Sequence, residues 1–260
     1  MKPSNLLCRW LPGWFKPGWR DCVHASCWSG PDAAVRLMNL LSPHCSDDSF
    51  GRWVDWMLGR GCETAHLFIC NRRDGRWSGY SPYVADAGAP WAWQIDRAVC
   101  RLMRRRMRTL RRRGLAVVVW LFADDSAEWN RAAAMDFRRY LRDIGEAGLL
   151  DYASAVVAGL ELDEYFSASQ VSALVAAIRR VWRGRIGTHQ TSGRYDFAGL
   201  GDFCCYQVSP GWTTGRIETE ATRVRAAAGK PLNFFELDRA ENRPLCEAAL
   251  RGGAFAVGNW

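Results

Sequence analysis

Residues 153–190 read as one repeating unit: Ala153-Ser-Ala-Val-Val-Ala-Gly-Leu160, then Glu161-Leu-Asp163-Glu164-Tyr165, then a helical pattern over Ala168–Trp182, then Arg185-Ile-Gly-Thr188-His189-Gln190. The run to Leu160 is apolar at nearly every position, which suits a parallel strand covered by helices rather than a strand with one wet face. A strand, a polar turn, a helix and a second strand form a β/α unit. In it the titratable residues fall directly after the strands.

The same alternation extends in both directions. Apolar runs occur at Val35–Leu41, Ala65–Cys70, Ala116–Phe122, Ala153–Leu160, Arg185–Thr188, Phe203–Val208, Leu232–Phe235 and Gly253–Val257. Helical patterns lie between them at Phe50–Arg60, Trp93–Arg113, Ala132–Gly145, Ala168–Trp182, Gly215–Ala228 and Leu245–Arg251, while Arg194–Leu200 reads as a short helix or a turn. Eight runs begin between residues 35 and 253, a spacing of about 31 residues, which predicts an α/β fold of (β/α)8 type. An open doubly wound sheet would carry a glycine-rich phosphate loop after its first strand. Here the first run leads into Leu41-Ser-Pro-His-Cys-Ser-Asp-Asp48 instead. The sequence stops at Trp260, immediately after the last run, which predicts a barrel (residues 34–260) with no eighth helix.

Residues 1–33 differ from the rest, with Trp10, Trp14, Trp19, Trp28, four prolines and no sustained period. They predict an irregular tryptophan-rich segment packed on the barrel, covering the groove of the absent helix through Trp10, Leu11, Trp14 and Phe15. The competing expectation is a tail that anchors the chain to a partner assembly or to a second copy of itself.

Composition narrows the classes. Hydrophobic residues make up 48% and charged residues 24%, which excludes a predominantly disordered chain. No apolar run approaches the ~18 residues of a membrane-spanning helix, and Arg9, Pro12 and Gly13 interrupt the only stretch that a signal peptide could use. Ten scattered cysteines, several inside apolar runs, predict buried free thiols and a reducing compartment. The net charge of +8 equals the surplus between Asp96 and Arg113, where nine arginines accompany one aspartate. Ile95, Val99, Leu102, Met103, Met107 and Leu110 recur there at helical spacing, so the arginines read as a solvated outer face rather than a nucleic-acid site. Four histidines without H-x-H or H-E-x-x-H predict no metal centre, and no cofactor motif occurs.

In such a barrel the chemistry sits at the carboxyl ends of the strands. The residues falling there are Asn71 and Arg72, Trp120 and Asp124, Glu161 and Glu164, His189 and Gln190, Tyr206 and Gln207, Glu236, and Trp260. Two glutamates stand out, one after the fourth run and Glu236 after the seventh. Carboxyls held about 5–5.5 Å apart suit a retaining glycosidase, one attacking the anomeric carbon and the other donating a proton.

This constellation resembles the cellulase-like clan of retaining (β/α)8 glycoside hydrolases. The resemblance implies that Asp163-Glu164 corresponds to that clan's Asn-Glu acid/base pair and Glu236 to its nucleophile. Arg72, Tyr206 and Trp260 would match its arginine, tyrosine and tryptophan. Asp163 departs from the usual Asn, and Glu161 is a second candidate acid three residues earlier. The stretches Gly-Leu-Glu-Leu-Asp-Glu-Tyr, Gly-Thr-His-Gln and Leu-Phe-Ala-Asp-Asp also resemble glycosidase-like barrels encoded by bacteriophages. The implied activity is hydrolysis of a poly- or oligosaccharide. The alternative is a non-catalytic glycan-binding or virion-associated barrel.

Overall fold

A computed structural model describes residues 23–25, 31–32, 35–71, 79–84, 94–121, 137–164, 166–209, 211–237 and 243–259. Its strands are β1 (Val23–Ala25), β2 (Thr64–Phe68), β3 (Ala116–Trp120), β4 (Ala155–Val157), β5 (Arg185–Gln190), β6 (Phe203–Gln207), β7 (Leu232–Leu237) and β8 (Ala256–Asn259). Each pairs in parallel with its successor, and β8 pairs with β1, so the sheet closes on itself. The helices among the described residues are α1 (Asp47–Gly59), α2 (Arg97–Arg112), α3 (Phe137–Glu146), α4 (Ala168–Val181), α5 (Thr214–Ala228) and α6 (Arg243–Arg251). Every link between consecutive strands carries one of them except β5 to β6, where residues 191–202 run as turns.

The helix starts follow from local chemistry. Ser46 caps α1 by accepting from the Ser49 N–H, and Asp47 and Asp48 oppose the positive helix end. Ser167 and Gln170 form a reciprocal capping box on α4. Asp96 caps α2 through the N–H groups of Ala98 and Val99.

One correction concerns the first strand. The sequence suggested Val35–Leu41, but β1 is Val23–Ala25, and Leu37–Asn39 forms a single 3-10 turn. Leu37, Met38, Leu40 and Leu41 are all buried there, and an apolar run of this length looks alike in a buried strand and in a buried turn. The boundary drawn after residue 33 therefore falls behind β1 rather than ahead of it. Asp32 also joins this part of the fold, accepting from Ser49 Oγ at 2.6 Å and from Arg52 at 2.7 Å. Trp10, Leu11, Trp14, Phe15, Trp19 and Trp28 lie outside the described residues.

Alternation along the strands sorts side chains into two layers. His66, Phe68, Trp120 and His189 meet inside the sheet, with Trp120 reaching His189 across β4 at 5.4 Å between ring centroids. Cys204, Tyr206, Leu232 and Phe234 face outward, forming a core with Ile217, Ala221 and Val224 of α5 and Ala248 and Ala249 of α6. A second, larger core spans β2 to β5 and helices α1 to α4. The two cores meet at the helix-free link.

Several arginines of α2 and its C-cap pair within the molecule: Arg104 with Asp151, Arg105 with Asp47 and the C-cap Arg113 with Asp55. Arg106 is buried, donating to the carbonyls of Leu40 and Ser42 at 2.8 Å each and to that of Cys45. The described cysteines are free thiols, all buried except the half-buried Cys246. Burial pushes the Cys62 and Cys100 thiols up to about 11 and Cys204 to about 12, so they stay protonated and unreactive near neutrality. No helix among the described residues is long and apolar enough to cross a membrane.

Candidate active site

The carboxyl ends of β2 to β5 converge on a polar and aromatic cluster. The Trp120 indole N–H donates to His66 Nδ1 at 2.9 Å, which fixes the indole, and the Trp120 ring packs edge-on against His189 at 62°. His189 Nδ1 accepts from the backbone N–H of Glu161 at 2.9 Å, so the imidazole proton sits on Nε2. Burial holds the His189 pKa down at about 3, and the ring is neutral throughout the physiological range.

Glu161 has φ +48°, the one positive value at a non-glycine position among the described residues. That left-handed conformation costs about 1–2 kcal/mol for a residue with a Cβ. It is held from both sides: the N–H is bound to His189, and the carbonyl accepts from the Glu164 N–H at 3.0 Å. Strain stored at a strand end is a frequent mark of a functional position.

Asp163 Oδ2 accepts from the Thr191 N–H at 3.1 Å and from Thr191 Oγ1 at 2.7 Å, and its carbonyl accepts from Arg194. Asp163 is thus tied through Oδ2 to the link after β5, while its Oδ1 is buried with no hydrogen-bond partner among the described residues. Glu164 ends the 3-10 turn Leu162–Glu164 with its side chain exposed.

Asn71 is 2% exposed and donates from Nδ2 to Asn39 Oδ1 at 2.9 Å. The Tyr80 hydroxyl is within hydrogen-bonding reach of the same Asn39 oxygen at 3.2 Å and of the Phe68 carbonyl at 3.1 Å. Asn71 therefore anchors the connection after β2 and does not stand open at the mouth.

Two of the expected substrate contacts face the wrong layer. Gln190 is buried on the outer side, accepting from the Phe197 N–H at 3.0 Å and donating toward Cys204 Sγ at 3.5 Å. The Tyr206 hydroxyl donates to Glu220 of α5 and accepts from the Gly193 N–H at 2.6 Å, and its ring stacks on Phe234 at 5.4 Å. The reason is the period of two: neighbours on a strand cannot both face the interior. In each pair it is the partner residue, His189 or Gln207, that shares the inner face with Cys205. Gln207 Oε1 is buried with no hydrogen-bond partner among the described residues.

Glu236 lies near the end of β7, where the register slips by one residue between Phe234 and Leu237, a β-bulge. Arg72, Asp124 and Trp260 lie outside the described residues. The sequence reading did not place Asn39 or His66 among the site residues. Both are polar residues buried within apolar runs, which was the available signal. No group of three His, Cys, Asp or Glu among the described residues could hold a metal ion.

These observations define a class: a closed parallel α/β sheet with an aromatic and polar cluster at the carboxyl ends of its strands. No protein-family model and no curated protein matches the chain. Solved structures are similar in fold. The endo-1,4-beta-mannanase from Eisenia fetida is 10% identical, with 94% of this chain and 86% of that one covered and a TM-score of 0.62. The GH5_18 protein from Bifidobacterium longum, solved with Manb1-4GlcNAc, is 11% identical over 92% of this chain and 68% of its own, with a TM-score of 0.59. A Bacteroides vulgatus protein is 14% identical over 83% of this chain at a TM-score of 0.63, and this chain spans only 48% of it. Glycoside hydrolases are thus among the fold neighbours, and at these identities the likeness is one of fold alone.

Proposed function

We propose that the protein is a retaining O-glycoside hydrolase acting on a poly- or oligosaccharide, built on a (β/α)8 barrel whose fifth helical position is a run of turns. Glu161 is the acid/base and Glu236 the nucleophile. The observation that carries this reading is the hold of His189 on the strained Glu161 backbone at the end of β4. A neutral, buried imidazole packed edge-on against Trp120 is a rigid support that does not titrate while the neighbouring carboxyl cycles. The position of Glu236 at a bulge adds support, since bulges re-aim side chains beside active sites.

In this scheme the Glu236 carboxylate attacks the anomeric carbon as the glycosidic C–O bond breaks and the Glu161 proton passes to the leaving oxygen. Water then attacks the glycosyl ester, giving its proton to the Glu161 carboxylate and releasing Glu236. Gln207, whose Oε1 is buried without a hydrogen-bond partner among the described residues, would accept from a sugar hydroxyl. Arg72 and Trp260 complete the reading as substrate contacts. The test is a polysaccharide and aryl-glycoside screen, beta-mannan included, with the full chain and its Glu161→Gln, Glu164→Gln and Glu236→Gln variants. Turnover lost in the first and third but kept in the second supports the assignment, and full activity in Glu161→Gln overturns it.

A second reading is a barrel that binds glycan, or serves as a virion component, without turnover. It is favoured by the commitment of Asp163 to Thr191, which leaves the clan's acid/base pair incomplete in its usual form.

A further inference from the structure

The helix-free link after β5 opens a cavity of about 560 Å3 between residues 192–195 and the start of α5, on the outer side of the sheet. Its lining includes Ser192, Tyr195, Ser209, Trp212, Arg216 and Arg223. That volume falls within the range of small-molecule sites, roughly 300–1,000 Å3. The walls are well fixed. Tyr195 stacks on Tyr206 with centroids 6.3 Å apart and ring planes 10° from parallel, and Trp212 packs against the outer core.

Charge in the cavity is unbalanced. Glu220, at its floor, accepts from the hydroxyls of both Tyr195 and Tyr206, and Arg223 stands 3.8 Å from its other oxygen. Arg216 has no carboxylate partner among the described residues; its guanidinium lies 4.3 Å over the Trp212 ring. Two guanidinium groups against one carboxylate leave a single positive charge, carried by the planar fork of Arg216 over the Trp212 ring. Such a fork suits a carboxylate, which it can bind with two parallel hydrogen bonds. A phosphate dianion would face the buried Glu220 carboxylate with only one uncommitted guanidinium to offset it. The serine hydroxyls and aromatic rings around the fork suit a polyhydroxylated ring.

We propose that this cavity binds an acidic saccharide unit, with its carboxylate on Arg216. The ligand class rests on the saccharide reading above, but the site does not involve Glu161 or Glu236. Isothermal titration of the full chain with glucuronate-containing oligosaccharides, neutral glucose oligosaccharides and inorganic phosphate tests it. The acidic oligosaccharide should bind, and more weakly as salt rises. Arg216→Gln should weaken that binding at least ~10-fold, the loss of one good charged contact. Thr219→Glu, at an exposed position on the same wall, should weaken it by adding a like charge without disturbing the fold. Glu161→Gln should bind as the parent does, so a failure of the hydrolase reading leaves this result intact. Equal binding of neutral and acidic sugars overturns the proposal. So does unchanged affinity in both Arg216→Gln and Thr219→Glu, or binding of phosphate alone, which would mark an adventitious ion only.

Discussion

Arg106 Nη1 stands 2.8 Å from the carbonyl oxygen of Leu40, joining the buried face of α2 to the connection between β1 and α1 across 66 residues of sequence. The same guanidinium binds the carbonyls of Ser42 and Cys45 and touches Asp47, with its side chain 3% exposed. Removing it would leave buried carbonyls with no donor. Arg106→Met should destabilise the fold by about 3–5 kcal/mol, read as a lowered urea midpoint. Arg106→Lys should recover only part of the loss, because a point ammonium cannot span the fork's partners. Substitution of the exposed Arg105 should shift the midpoint far less.

His189 makes stability depend on pH. Its folded pKa, about 3, lies below the ordinary 6.5 because burial disfavours the imidazolium. Between those values the unfolded chain binds a proton that the folded chain does not, so this contribution is complete above pH 6.5 and is lost as pH falls toward 3. Urea midpoints measured at pH 4.5, 5.5 and 7.0 should fall on acidification. The slope should flatten in His189→Asn, which has no titrating group and keeps an oxygen able to accept from the Glu161 N–H. An unchanged slope in that variant would assign the acid sensitivity to other groups.

Glu161 and Glu164 should respond oppositely to glycine. At φ +48° glycine removes the steric cost of a Cβ, so Glu161→Gly should hold or raise the melting temperature while abolishing turnover. At Glu164, where φ is not positive, glycine should lower stability by roughly 0.5–1 kcal/mol and leave turnover in place. Paired thermal melts and activity assays read both effects.

Tyr206→Phe should cost about 1–2 kcal/mol, because it leaves the Gly193 N–H and one Glu220 interaction unmet. Catalytic rate should hold, since the hydroxyl faces α5. A large fall in kcat at unchanged stability would return Tyr206 to the reacting centre.

The strands were legible because helix-covered parallel strands are continuous apolar runs, and seven of the eight runs overlap one. The exception is instructive. Val23-His24-Ala25 is too short to carry a pattern, while Val35–Leu41 carries a strong one for a different reason, burial of a turn on all sides. Orientation was less legible than position. His189-Gln190 and Tyr206-Gln207 each offered two polar candidates, and only the pairing register separates inner from outer. The choice between Glu161 and Glu164 depends on a backbone dihedral and on an imidazole 28 residues away, neither of which spacing encodes.

The break between the two cores bears on how the molecule comes apart. The β5–β6 ladder continues across it, but the helical layer does not, and Phe197 and Ala198 at the break belong to different cores. Opening of α5 and α6 away from β6 and β7 would leave the larger core packed. Amide hydrogen exchange should therefore resolve two cooperative units, with Ile217–Ala228 exchanging ahead of β2 and β3 rather than together with them. A protein that unfolds along such a seam can loosen one flank for a ligand while the opposite flank keeps the strand ends in place.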